Sequence, residues 1–241
     1  MNTTRTTIDP DTTVGELVVQ QPNRSRLFEQ LGLDYCCGGR KPLRQACAEK
    51  GLDLDDVLRR LAEIPASPPR TSHEAAPRMS VQDLVNHIVS EHHEYLRREM
   101  PRLHQMVLKV ARVHGPEDAR LARLPEIFEN LKVELESHMA KEEQVLFPAL
   151  SEWAAQGRIP QGDTSTLQAP IRVMVMEHEE AARLLEEMKR LTDGFTPPDW
   201  ACNTYRAMLD GLRELEADLH QHVHEENNIL FPRALTGAQQ A

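Results

Sequence analysis

Four long stretches of the chain repeat apolar positions at steps of three and four, the spacing that lines one face of an α-helix. They run roughly over residues 80–112, 118–152, 167–192 and 199–233. The segments between them, HGPED, QGRIPQGDTST and DGFTPP, each carry Gly or Pro, which end helices. No alternating run rich in Val, Ile and Thr competes for a strand. Four long helices with short connections predict an antiparallel four-helix bundle. Ahead of them, VGELVVQ, RSRLFEQLGL and DLDDVLRRLAEI predict short helices, the last capped by Asp53. Residues 65–77 read PASPPRTSHEAAP, rich in Pro and small residues and without periodicity, which is linker chemistry. The predicted organisation is all-α: a small helical N-terminal domain over 1–65, a linker over 66–78 and the bundle over 79–235.

Polar residues interrupt the apolar stripes at matching places. In the fourth helix the stripe reads Leu212, Leu215, Leu219, His222, Glu226, Ile229, and in the second Phe128, Leu131, Leu135, His138, Glu142, Val145. The third runs Ile171, Met174, His178, Ala181, Leu185, Met188. In the first, Val89, His93, Leu96, Met100, Leu103, Val107 and Val110 form the longest register, although Val85, Ile88 and His92 also align. The repeat is internal as well: HxxxE-xx-(V/I)-L-F-P occurs at His138–Pro148 and again at His222–Pro232. His93 and His178 stand one helix upstream of each copy, so the bundle reads as two related hairpins.

One His on a core stripe is ordinarily a hydrogen-bonded core residue, and one i,i+4 His–Glu pair an ordinary helix contact. Four His and two Glu converging on one core are different. Buried carboxylates cost several kcal/mol unless paired or coordinating a metal, and no Arg or Lys lies on these stripes. Imidazole and carboxylate without Cys suit Fe, Mn or Zn, and six protein ligands exceed what one tetrahedral ion accepts. Two octahedral ions have about twelve positions. Two bridging glutamates, four histidines and a bridging oxo or hydroxo group leave about two open for an outside ligand or for release of metal.

Composition narrows the function classes. The net charge of −10 and the sequence pI near 5.6 argue against nucleic-acid or membrane-surface partners. No run approaches the ~20 apolar residues of a membrane span. Residues 1–8 lack the apolar segment of a signal peptide, so the expected location is the cytoplasm. Four Cys, two of them adjacent, do not make a secreted disulfide framework. Cys36 and Cys37 stand in DYCCGG with Arg40 and Lys41 just beyond, a setting expected to lower a thiol pKa. Cys47 and Cys202 read as inert core thiols. His73 lies in the linker, His87 and His104 off the chosen stripe, His114 at a helix end, and His220 and His224 on a face away from His222. The HEE and EENN runs read as solvated faces apart from the ligands named.

DYCCGG at 34–39, ELESHMAKEEQVLFP at 134–148, VMEHEEA at 175–181 and ENNILFPRAL at 226–235 together resemble the iron–sulfur cluster repair di-iron proteins, the repair-of-iron-centres family. The bundle is similar to hemerythrin-like domains, with four histidines where the oxygen carriers use five. The resemblance implies two non-haem iron ions, bridged by carboxylates and an oxo or hydroxo group. It places the ligands on His93, His138, Glu142, His178, His222 and Glu226, with Glu142 and Glu226 bridging. It also gives weight to Glu134, one turn before His138, and Glu177, beside His178, as an outward route for iron or as imidazole-orienting groups. The implied function is repair of clusters damaged by oxidative or nitrosative stress, by donating iron without conventional turnover, with damaged iron–sulfur proteins as partners. Binding or reduction of nitric oxide at the diferrous centre, with the Cys pair as reductant, is the alternative, and O2 is a further small ligand. A reversible oxygen carrier or a metal-free interaction bundle are remoter readings. A homodimer through the N-terminal domain is an open expectation.

Overall fold

The computed structural model describes residues 8–64, 75–156 and 165–239. Most of the 66–78 linker, including His73, and the middle of the QGRIPQGDTST connection lie outside them. The described residues form no strand, only one isolated bridge between Thr13 and Pro42. The fold is all-α, and no helix is long and apolar enough to cross a membrane.

The N-terminal part contains α1 (Val14–Gln20), α2 (Ser25–Leu31), α3 (Leu43–Lys50) and α4 (Leu54–Glu63). Their starts carry the expected chemistry. Thr13 accepts the Glu16 N–H, and Asp53 accepts the Asp56 N–H at 3.0 Å, satisfying donors that the first turn leaves open. Leu17, Phe28, Tyr35, Leu43, Val57 and Leu61 close a small core of their own.

The bundle has four rods. α5 consists of Val81–Ile88, a π-type turn over Val89–His93, and Glu94–His114. α6 has the same construction: Leu124–Lys141, a π-type turn over Glu142–Leu146, and Phe147–Gln156. α7 is the uninterrupted Ser165–Leu191. α8 runs Asn203–Glu225, a π-type turn over Glu226–Leu230, and Phe231–Gln239. Neighbours run antiparallel, as the ion pairs between them record. Arg97 meets Glu143 and His104 meets Glu129 across α5 and α6, while Arg123 meets Glu187 and Lys141 meets Glu177 across α6 and α7.

Apolar side chains fill the bundle in two blocks. One contains Leu96, Leu103, Phe128, Leu135, Leu185 and Leu219; the other contains Leu84, Ile88, Phe147, Met174, Ile229 and Phe231. The four histidines and two glutamates of the stripes occupy the band between the blocks. Two apolar layers therefore hold one polar layer, shielding it along the bundle axis.

The π-type turns change the register that a strict 3.6-residue period predicts. Val145 was expected on the core stripe, yet it is 63% exposed and Leu146 takes the buried place. The wide turn beginning at Glu142 inserts one residue of extra advance, so positions beyond it slip by one. Pro148 and Pro232 supply part of the cause. Each lacks an N–H and its ring crowds the carbonyl four residues earlier, which disfavours the ordinary i→i−4 bond there.

The N-terminal helices dock on α8. The Tyr35 carbonyl accepts from Asn228 Nδ2 at 3.2 Å and lies 3.3 Å from His224 Nδ1, and the Cys36 carbonyl accepts from the same amide. Tyr35 Oη accepts from Gln221 and donates to Glu29, both at 2.8 Å. The paired glycines of DYCCGG have a steric reason here. A Cβ on Gly39 would lie 2.5 Å from Asn228 Oδ1 and 2.7 Å from the Tyr35 carbonyl, and one on Gly15 would meet the same Asn228. The EENN run reads as a solvated face and His224 as lying on a face away from His222, but His224, Glu225 and Asn227 are buried beneath this contact or inside the bundle. The substitution Gly39→Ala should therefore lower unfolding stability by about 1–3 kcal/mol, read from urea midpoints, because backbone and Asn228 must both give way.

Candidate metal centre

Six side chains from four helices meet in the polar band, all of them at most 3% exposed. They form two overlapping sets. His93, Glu142, His222 and Glu226 bring ligand atoms within 4.8 Å of one another, and so do His138, Glu142, His178 and Glu226. Glu142 and Glu226 belong to both. The π-type turns of α6 and α8 begin at these two residues, a location where such turns often mark function. The first-helix ambiguity resolves in space: His92 and His93 are both fully buried, but only His93 joins these sets.

Partners behind the rings fix their tautomers. His93 Nδ1 lies 2.6 Å from Glu143 Oε1, His138 Nδ1 lies 2.9 Å from Glu177 Oε2, and His178 Nδ1 lies 3.1 Å from Asn227 Oδ1. The carboxylates behind His93 and His138 accept the Nδ1 hydrogens, so these two Nε2 atoms present lone pairs inward, while His178 Nε2 also lies 3.0 Å from Glu226 Oε2. Each lies against a ring from the other hairpin. His138 Nε2 lies 3.0 Å from His178 Nε2, and His93 Nε2 lies 3.3 Å from His222 Nε2. Phe147 stacks on His93 and Phe231 on His178, so the FP ends of the repeated motif wall the imidazoles.

The electrostatics agree with a cation between these groups. Burial, reinforced by the charge of Glu226, pushes the Glu142 carboxyl well above the usual range. Burial acts likewise on Glu226, but His222 and the hydrogen bonds from His178 and His222 outweigh it and hold that carboxyl low. Burial takes His93 down to about 3 and His138 to about 4, so at neutral pH both rings are the free bases that ligation requires. Both oxygens of Glu142 and Nδ1 of His222 are buried without a hydrogen-bond partner. Inward imidazole lone pairs and orphaned carboxylate oxygens fit a pair of metal ions, and the residues present suit that group.

Other expected residues fall elsewhere. Glu177 touches the site from outside, bonding His138 and pairing with Lys141. Glu134 is exposed and is not brought into the cluster. Cys36 and Cys37 line a small cavity with His138, His178, His220 and His222, whose remaining walls are apolar. The expected thiolate at Cys36 is overturned. Its thiol bonds with Cys37 and Asp34 in a buried place and its pKa rises, while Lys41 turns away to Glu49. Two readings of surrounding residues also change. His87, placed off the stripe, is buried against Glu225 with Nε2 to Oε2 at 3.3 Å, and His92 Nδ1 lies 2.9 Å from Asp218. Cys202, read as a core thiol, is exposed at the start of α8.

Two measurements follow. Glu142→Leu and Glu226→Leu should each retain helix content by circular dichroism and lose the paired metal, since each removes one of the two carboxylates that both sets share. The Cys202 thiol, lowered to about 7 by His114 Nε2 at 3.2 Å and by the Tyr205 and Thr204 N–H groups, should alkylate with iodoacetamide faster as pH rises through about 7. In His114→Ala that midpoint should move upward.

Comparison with known proteins agrees with this geometry. Residues 84–234 match the hemerythrin HHE cation binding domain, and residues 10–65 match ScdA_N, a domain of unknown function. The chain is 41% identical over 227 residues to the iron-sulfur cluster repair protein YtfE of Escherichia coli O81, covering 94% of this chain and 98% of that protein. The YtfE proteins of Escherichia fergusonii and Escherichia coli O127:H6 are 40% identical over the same span. Matched along nearly its whole length and across the band that gathers the histidines, the chain belongs to the hemerythrin HHE cation-binding family, in the group of YtfE-type iron–sulfur cluster repair proteins.

Proposed function

We propose that this chain repairs iron–sulfur clusters damaged by oxidative or nitrosative stress, in the cytoplasm, by holding two iron ions and giving iron up to the damaged protein. The observation that carries the reading is that Glu142 and Glu226 each serve both sets of histidines. When bound, the two ions supply exchangeable, redox-active iron. His93 and His222 would hold one ion, His138 and His178 the other, and the two glutamates would bridge. In this reading the working units are a domain over 1–65, a linker over 66–78 and the bundle over 79–235.

The chain's own residues do the positioning and the release. Glu143 and Glu177 orient His93 and His138, and both reach partial exposure where Arg97 and Lys141 pair with them. These are the points at which the polar band touches water. Glu177 supplies a carboxylate on the outward side of His138, and exposed Glu134 stands one turn before His138 in the sequence of α6. The apolar blocks close the remaining directions.

A second reading, binding or reduction of nitric oxide, draws on the cavity between the Cys pair and the imidazoles, whose mainly apolar walls suit a small neutral ligand. Cys36 and Cys37 stand at its wall as a dithiol able to give two electrons on forming a disulfide.

Full chain loaded with 57Fe and mixed with a cluster enzyme inactivated by nitric oxide or peroxide should restore activity and leave the isotope in the repaired cluster. Retention of all 57Fe on the donor would rule out delivery. Nitric oxide added anaerobically to the reduced protein should give nitrous oxide above background if the second reading holds.

A further inference from the structure

A second group of ligand-type residues lies beside the six. His87, His92 and Glu225 bring His nitrogens and a carboxylate oxygen within 4.8 Å of one another, with exposures of 7%, 0% and 1%. We propose that His87, His92 and Glu225 form a separate mononuclear site for a divalent transition-metal ion, so that the chain takes one ion more than the paired centre holds.

Local backbone geometry puts the three together. His87 and His92 are five residues apart, and in an α-helix five residues advance about 140° beyond a full turn, which would point the rings apart. The π-type turn over Val89–His93 widens the helix to i→i+5 pairing and brings them onto one face, ring centroids 6.0 Å apart. The same turn lets consecutive residues divide their work: His93 enters the paired centre and His92 the neighbouring group. On α8, Glu226 and Glu225 divide in the same way.

The distances fit coordination. Glu225 Oε2 lies 3.3 Å from His87 Nε2 and 3.5 Å from His92 Nε2. A tetrahedral ion with bonds of about 2.1 Å separates its ligand atoms by about 3.4 Å. His92 Nδ1 lies 2.9 Å from Asp218 Oδ1, so Asp218 accepts that ring hydrogen. That is the carboxylate–histidine–metal arrangement of structured metal sites. Burial lowers the His92 pKa, but the bonds to Asp218 and Glu225 outweigh it and raise it to about 9, so an ion taking Nε2 displaces a proton. Two imidazoles and one carboxylate suit Fe(II) or Zn(II) and leave positions for water. The His92 ring stacks on His222 with centroids 5.0 Å apart and planes at 6°, so this site shares a wall with the paired centre. An ion here would stand one ring away from the proposed cargo.

The test counts metal. Full chain stripped of metal and dialysed anaerobically against Co(II) should bind one ion per chain more than His87→Ala, whatever number the paired centre takes. Asp218→Asn, a positioning change, should weaken that extra ion by about 10–100-fold while leaving the saturation count intact. Anomalous scattering from Co(II)-loaded crystals should show density among His87, His92 and Glu225. Equal counts in the parent chain and in folded His87→Ala, or density confined to the Glu142 and Glu226 region, would overturn the proposal and leave His87, His92, Asp218 and Glu225 as a hydrogen-bonded core network. Loss of the paired ions alone would instead count against the dinuclear reading and leave the one-ion difference standing.

Discussion

The structure depends on one electrostatic constraint: carboxylates and imidazole lone pairs are confined in a layer that meets water only at its Glu143 and Glu177 edges. Two carboxylates and four imidazoles share a space a few ångströms across, between apolar blocks that block escape toward either end. In a low-dielectric interior such a set repels itself, and protonation or a cation must offset the repulsion. The high Glu142 pKa and the low His93 and His138 values are the protonation response of the same crowding. Neutral imidazoles turned inward and a carboxyl of raised pKa between them are the response that a metal ion reverses most directly.

Much of this was legible from periodicity. A step of three and four carried Leu219, His222 and Glu226 onto one face, and the same arithmetic carried Leu135, His138 and Glu142 onto another. The residues that escaped lie at the π-type turns, where the period itself changes. Val145 slipped outward, Leu146 took its place, and His87 came to face His92 across what an α-helix would make a wide angle. Pro148 and Pro232 mark two of these turns in the sequence, but nothing comparable marks Val89–His93. The Cys36 thiol departs from expectation for another reason. Arg40 and Lys41 are near in sequence, yet the side chain points away from them to Asp34, a direction that composition does not carry.

The docking of the N-terminal helices ties the Cys-containing loop to the helix that supplies Glu226. Asn228 accepts no substitute of larger shape at Gly15 and Gly39, and its amide bonds the carbonyls of Tyr35 and Cys36. Asn228 also sits within the π-type turn that starts at Glu226. A shift of that turn would therefore move both the loop and a central carboxylate. The coupling runs through one continuous backbone segment, with no longer path required.

The internal repeat is imperfect where the imperfection matters. His93 and His138, both from the first hairpin, are backed by carboxylates, whereas His178 is backed by a neutral amide and His222 Nδ1 has no partner. Each four-residue set thus combines one carboxylate-backed ring with one ring lacking such support. The backing carboxylates are themselves tied to cations, Glu143 to Arg97 and Glu177 to Lys141, so they orient rings while adding little net negative charge. Only Glu142 and Glu226 remain to balance two divalent ions. Under the dinuclear reading the protein therefore underneutralises its own cargo, and weak retention follows from the charge count. A storage or structural centre would be expected to add carboxylates or thiolates as ligands; here the carboxylates behind His93 and His138 are already paired with cations, and the other neighbours of the rings are phenyl groups and an amide, which favours release.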